Sequence, residues 1–235
     1  MSIEELAYHK TRLGDLILRR RPEPLLKNID VYEVKLGDEF LMSSLFTAGE
    51  EALAELGLNG LEGDLEVVVG GLGLGYTAAA ALAHKNVKRL LVVEAFEEVI
   101  QWHKNELVPV GAALGSDPRC EFAKGDFFEL SASGFDADDA AKLWDAVLLD
   151  IDHTPVHHLD KGNAGFYTAA GLNKLSGQLK RGGVFALWSD DQSDDDFVNL
   201  LREVFEEAAG HDIKFPNPYT NRVSINSVYV ARKKS

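Results

Sequence analysis

Four glycines fall within six residues of the stretch VVVGGLGLGYTAAAAL, Val67 to Leu82: Gly70, Gly71, Gly73 and Gly75. A β-branched run precedes them and an alanine-rich run follows, which reads as a strand, a tight turn and the start of a helix. Glycine admits positive φ and lets a ligand approach the backbone with no Cβ in the way. The helix start behind the turn offers unpaired N–H groups and the positive end of a dipole. An anionic or strongly polar ligand group suits that place.

Three acidic residues stand where such a ligand would be read. Gly73, Gly75 and Ala78 satisfy the G-x-G-x-x-A dinucleotide fingerprint, and Glu94 ends the next strand 19 positions after Gly75, where a ribose acceptor belongs. NAD-binding and S-adenosylmethionine-binding folds share that feature, and glycines that merely permit close helix–strand packing are the plainer alternative. Asp126 in KGDFFEL and Asp150 in DAVLLDID follow the third and fourth strands. Ligands of open α/β sheets bind at the carboxyl ends of the strands, so Gly71–Gly75, Glu94, Asp126 and Asp150 share one edge. An adenine amino group on Asp126, a ribose on Glu94 and an amino-acid end near the glycines make one pose. A nicotinamide would not need the acid at Asp126.

DIDHTPVHHLD packs Asp150, Asp152, His153, His157, His158 and Asp160 into eleven residues, and WSDDQSDDDF adds five aspartates after the next strand. Oxygen-rich ligation of Mg²⁺ or Ca²⁺, a transition metal recruited by the histidines, and a histidine acid or base tuned by its neighbours are all open. So are plain polar loops over the mouth of a site. The spacing matches no closed metal motif, and no metal is assigned.

The elements that must position these residues alternate. LEVVV, LLVVE, CEFAK, WDAVLLD and GVFALW read as buried strands. Helical stretches lie between and after them, over 77–84, 96–107, 164–179 and 195–209. This predicts an α/β Rossmann-like parallel sheet covered on both faces. IKFPNP and INSVYVAR read as antiparallel partners at one edge. Upstream, the segment to Leu26 is spaced loosely as a helix and ends at RRPEP. VYEVKLGDEFLM reads as a hairpin turning at Gly37-Asp38, and Thr47 with Glu50 has the spacing of a capping box. The expected division is residues 1–60 as a short helix and hairpin segment and 61–235 as the nucleotide-binding domain.

The chain has 235 residues, 46% of them hydrophobic, with a net charge of −14. That charge repels nucleic acid and anionic membranes and favours a small-molecule acceptor, a cationic one in particular. No apolar run reaches the length of a membrane span, the N-terminus lacks a signal-like core, and the lone Cys120 excludes an internal disulfide. These features lead us to expect a cytoplasmic protein.

VVVGGLGLGYTA, LLVVEAFEEVI, KGDFFEL, WDAVLLDIDHTP and FYTAAGLNKLSGQLKRGGVFALW resemble, in order and spacing, the spermidine synthase-like group of class I S-adenosylmethionine-binding proteins. The resemblance spans roughly residues 65 to 190. It implies a seven-stranded sheet with a reversed last strand, a homodimer, and S-adenosylmethionine or its decarboxylated form as donor. Gly70, Gly71, Gly73, Gly75, Glu94, Asp126 and Phe127 would then hold the donor. Asp150 matches the family's catalytic aspartate, with Asp152 and His153 orienting the acceptor.

Three departures stand beside it. Gly73 occupies the place of an aspartate that, in aminopropyltransferases, meets the ammonium of the decarboxylated donor. SSLFTAGEEAL lacks the family's Y-H-E stretch, with Glu50 or Glu51 as partial substitutes. DIDHTP replaces D-S-S-D-P, moving the second aspartate to Asp152. The expected function is methyl transfer from S-adenosylmethionine to a small nucleophile. Aminopropyl transfer and nucleoside binding without turnover are the alternatives.

Overall fold

A computed structural model describes residues 3–234 as two sheets of different construction. The first is antiparallel, ordered β1 (Glu4–Thr11), β2 (Gly14–Glu23), β3 (Ile29–Leu36) and β4 (Glu39–Ser43). The helix expected before Leu26 is therefore a hairpin. Its loose apolar spacing is a strand alternation: Leu16 and Leu18 of β2 point into the core with Val34 and Leu36 of β3, as period-2 geometry requires. The turn at Arg12-Leu13 is fixed by Thr11, whose hydroxyl donates to Gly14 O and accepts from Leu13 N–H. The basic run Arg19–Arg21 forms ion pairs within this sheet. Arg19 and Arg21 both reach Glu33, and Arg20 reaches Glu4.

α1 (Ala48–Leu58) leads to the second sheet. Its chain order is β5 (Leu65–Gly70), α2 (Tyr76–Ala83), β6 (Val87–Glu94), α3 (Glu97–Lys104), α4 (Gly111–Ser116), β7 (Cys120–Lys124) and α5 (Phe127–Ser133). There follow β8 (Trp144–Leu149), α6 (Ala169–Gly177), β9 (Leu179–Ser189), α7 (Asp195–Val204), β10 (Glu207–Asn217) and β11 (Arg222–Arg232). The spatial order is β10-β11-β9-β8-β5-β6-β7. β7, β6, β5, β8 and β9 run parallel, and β11 is reversed against both β9 and β10. The mostly parallel, Rossmann-like sheet is thus present, with its reversed strand second from the edge.

Both faces are covered, which is why the central strands lack polar alternation. Val67 and Val69 join the core beneath α1 to α4 and the first sheet, while Val68 joins the one beneath α5 to α7. Three element ends differ from expectation. α6 begins only at Ala169, capped by the Thr168 side chain on Gly171 N–H. α7 stops at Val204 because Phe205 and Ala208 turn into the core as the chain enters β10. The final hairpin pairs eleven residues on each side, Glu207 with Arg232 through Asn217 with Arg222. Pro216 is tolerated there because β10 is the sheet edge. No helix among the described residues is long and apolar enough to cross a membrane.

Candidate functional site

In the sheet order, the chain leaves β5 towards β6 on one side, while β8 lies on the other. Ligands of open α/β sheets bind at this kind of reversal. A cavity of about 470 Å³ opens there, with strand ends of the large sheet as its floor and β2, β3 and β4 contributing its apolar cover.

The glycine loop closes one side of it. Gly71 has φ +91°, and a Cβ on it would collide with the carbonyl oxygen of Asp150, so the ends of β5 and β8 meet at a residue without a side chain. Gly73 has φ +48°, and a Cβ there would lie 2.5 Å from Met42 Sδ. Met42 of β4 also accepts from Leu74 N–H at 3.2 Å. The thioether of the first sheet thus sits against the turn of the glycine loop. His103 supports the loop from behind: its Nε2 lies 2.9 Å from Gly73 O. A carbonyl only accepts, so Nε2 carries the proton, and burial pushes the pKa of this fully buried ring down. Gly70 and Gly75 lie outside the cavity lining. Gly70 passes beneath the Phe127 ring, and Gly75 caps α2 against His103, Val110 and Leu114.

Glu94 lies at the end of β6 and lines the cavity. Its Oε2 accepts from Leu72 N–H at 3.0 Å and its Oε1 from Phe96 N–H at 2.9 Å. Burial raises its pKa while these backbone donors lower it. The backbone N–H groups of Gly73 and Ala95 also support this carboxylate. Asp126 caps α5, its Oδ1 accepting from Phe128 and Glu129 N–H, and Oδ2 has no partner among the described residues. Phe127 and Phe128 line the same wall. An apolar slot ending in a free carboxylate oxygen fits a flat heterocycle carrying an amino group.

The opposite side is built differently. Asp150 accepts from the Thr77 hydroxyl at 2.7 Å, and burial pushes its pKa up to about 6. Glu50 of α1, 6% exposed, lines the same cavity. Burial, then the charge of Asp150, pushes it up to about 8. Asp190, just beyond β9, lines the cavity too and accepts from Asn226 of β11 at 2.9 Å. Burial raises its pKa as well. Phe46, Trp188 and Phe215 supply aromatic wall, with the Phe46 and Phe215 centroids 5.8 Å apart. Of the six carboxylate residues lining the cavity, none of these three meets a Lys or Arg among the described residues. Arg12, the one arginine of the lining, is engaged by Asp160 at 3.0 Å.

The Asp/His-rich loop divides. His153 lines the cavity and lies 3.3 Å from Glu39 Oε2. Asp152, expected to orient the acceptor, is 1% exposed, faces the loop interior and lies outside the cavity lining. It accepts from Leu159 N–H, from Asn163 Nδ2 and from the Tyr167 hydroxyl, and so holds the loop together. Among the described residues no three His, Cys, Asp or Glu side chains are grouped to hold a metal ion. Asp194 of the second acidic run caps α7.

Two participants, Asp190 and Met42, escape the sequence, and a third, Glu50, is read there both as a helix-end residue and as a partial substitute on the acceptor side. The capping-box spacing of Thr47 and Glu50 points to a helix-end role, yet the Thr47 hydroxyl donates to Glu51 at 2.8 Å and Glu50 turns into the cavity. Asp190 is one of five similar aspartates. Nothing about Met42 marks it. Trp188 lines the cavity. FPNPYTNR overhangs it through Phe215 and Asn217. Cys120 is no nucleophile, since burial pushes its thiol up to about 12.

No family model matches the sequence. Among solved structures, a spermidine synthase in complex with the transition-state analogue AdoDATO superposes with a TM-score of 0.76 at 16% identity, covering 98% of this chain and 74% of that one. The spermidine synthase from Thermotoga maritima gives 0.75 at 17%, with 98% and 73% covered. A probable spermidine synthase from Corynebacterium glutamicum ATCC 13032 gives 0.64 at 15%, with 96% and 79% covered. The chain has the spermidine synthase fold, including an N-terminal antiparallel sheet ahead of the Rossmann-like layer.

Proposed function

We propose that the chain is a transferase that binds a sulfonium nucleoside and passes an alkyl group from it to an amine, in the manner of an aminopropyltransferase. One observation carries the reading. A single cavity joins a backbone-braced carboxylate wall, Glu94 and Asp126, to the unpaired acids Glu50 and Asp150. The first wall suits a nucleoside, with ribose hydroxyls on Glu94 and an amino-bearing base on Asp126. The second suits a cation. The fold likeness supports the same reading.

The chemistry asks little beyond placement. A sulfonium is already a good leaving group and departs as a neutral thioether. Catalysis is therefore in-line positioning of the nitrogen and electrostatic support for the charge that moves. Asp150, held by Thr77 at the end of β8, faces the reacting nitrogen in this reading.

Gly73 favours a second reading, methyl transfer from S-adenosylmethionine. The loop position that would meet a donor ammonium carries no charge, and Met42 lies against it. Incubation with 1,4-diaminobutane and each donor separates the two by the mass of the product. Aminopropyl adduct from the decarboxylated donor supports the first reading. Methylated amine from S-adenosylmethionine replaces it with the second. Failure of both donors and of 5′-methylthioadenosine to bind would sink both.

A further inference from the structure

β11 lies between β10 and β9, and its two pairings differ in length. It leaves β9 at Ser227, opposite Ser189, yet stays paired with β10 out to Arg222, opposite Asn217. The outer half of the final hairpin, residues 213–226, therefore projects past the large sheet as a two-stranded ribbon. Its base is tied down on both strands. Asp212 accepts from the Ser193 N–H and hydroxyl, each at 2.9 Å, and Asn226 donates to Asp190 at 2.9 Å. Its tip is a preformed turn, in which Asn217 Oδ1 accepts from Tyr219 and Thr220 N–H. Along the ribbon, Phe215, Asn217, Ser224 and Ile225 form part of the cavity lining.

The tip crosses to the first sheet. The Tyr219 hydroxyl donates to Glu23 Oε2 at 2.5 Å and accepts from Arg21 Nη2 at 2.7 Å, and the Phe46 ring lies against both Tyr219 and Phe215. These bonds are added to a set that is complete without them. Glu23, 3% exposed, is also met by Arg21 Nη1 and by Leu25 N–H, and Arg21 Nε reaches Glu33. Tyr219 can thus let go without stranding a buried charge, and its ring, 46% exposed, keeps the hydroxyl within reach of water. A ribbon anchored at its base and fastened at its tip by separable bonds has the construction of a hinged cover.

We propose that residues 213–226 form a strap that swings from its base at Asp212 and Asn226, opening and closing the side of the cavity walled by Trp188 and Asp190, with Tyr219 as its latch on Glu23 and Arg21. The strap covers the same cavity whatever fills it, so its test needs neither donor nor acceptor and stands apart from the transferase reading.

Tyr219→Phe breaks the latch, removing the hydroxyl and leaving the ring against Phe46. A two-stranded ribbon is marginally stable without support, so hydrogen exchange reads its release. Amides of 213–226 should exchange about 10-fold faster or more in the variant, with β5 and β8 unchanged. Access to the cavity is read by acrylamide quenching of tryptophan fluorescence. Trp102 and Trp144 are 2% and 0% exposed, so a change in quenching reports Trp188 in the lining. Quenching should rise in Tyr219→Phe, and the rise should vanish when Trp188→Phe is added to both proteins.

Native-like exchange of 213–226 in Tyr219→Phe overturns the proposal. So does faster exchange without greater quenching, which is fraying that leaves the cavity covered. Equal acceleration of β5 and β8 makes Tyr219 a support of the whole fold and overturns it as well. A rise in quenching that survives Trp188→Phe comes from another part of the molecule and counts against the strap equally.

Discussion

The two walls of the cavity contain the same kind of residue and treat it in opposite ways. On the glycine-loop side, backbone N–H groups brace both acids, those of Leu72, Gly73, Ala95 and Phe96 at Glu94 and those of Phe128 and Glu129 at Asp126. Their charge is braced by the chain itself, at turns that form as the strands end. On the other side, Glu50, Asp150 and Asp190 receive only side-chain help from outside their own residues, a hydroxyl from Thr77 and an amide from Asn226. Negative charge is thus settled on the first wall and left open on the second. A wall whose carboxylates are held in place by the backbone suits recognition of a nucleoside's hydroxyl and amino donors. A wall with unbalanced charge suits capture of a cation, because the ligand supplies what the fold withholds.

The sharpest way to break this contrast is Asp150→Asn. We expect turnover to fall by about 10²–10⁴-fold, with 5′-methylthioadenosine affinity unchanged by calorimetry. A parallel loss of nucleoside affinity would mean that the two walls are one unit. The next largest effect should come from Glu94→Ala. It strands the N–H groups of Leu72 and Phe96 and removes the proposed ribose acceptor, and each lost charged hydrogen bond is worth about 1.5–3 kcal/mol. Methylthioadenosine affinity should weaken by about 30- to 100-fold. Unaltered affinity would move the nucleoside elsewhere.

The smallest effect sharpens the comparison through stability. Glu50 has its folded-state pKa raised from 4.5 to about 8, so the folded chain binds its proton more tightly than the unfolded chain does. The stability this supplies is complete below about pH 4.5 and is lost as pH rises through about 8. Glu50→Gln cannot lose it. The variant should therefore have a Tm on the order of 5 °C above the native protein at pH 8, with the gap closing towards pH 5. Asp150, raised to about 6, remains in both proteins and leaves a residual slope at lower pH. A gap that does not depend on pH would show that Glu50 is not held protonated by burial.

Legibility in the sequence follows the same divide. The places of the glycine loop, Glu94, Asp126 and Asp150 at strand ends were legible because each is defined by what lies within a few residues: a buried strand, then a turn. The surroundings of Asp152 were not legible because spacing alone places it beside Asp150, whereas its partners Leu159, Asn163 and Tyr167 belong to a loop that folds back over it. The N-terminal segment was misread because strand alternation over Leu16 and Leu18 is short and interrupted by the run of arginines. Its meaning appears only when Glu33 and Glu4 pair with them across the sheet.

By itself, then, the sequence determined the Rossmann-like alternation, the turn that exposes backbone N–H groups, and the acids at the ends of successive strands. Those features are local, set by side-chain period and by glycine at positive φ. Only the tertiary structure decided that Glu50 faces Asp150 from a hundred residues away, that Met42 of the first sheet lies against Gly73, and that Asp190 rather than Asp152 joins the cavity. These are juxtapositions between elements distant along the chain. Nothing in the local pattern of either partner encodes them, because packing of α1 and the antiparallel sheet against the strand ends sets the geometry.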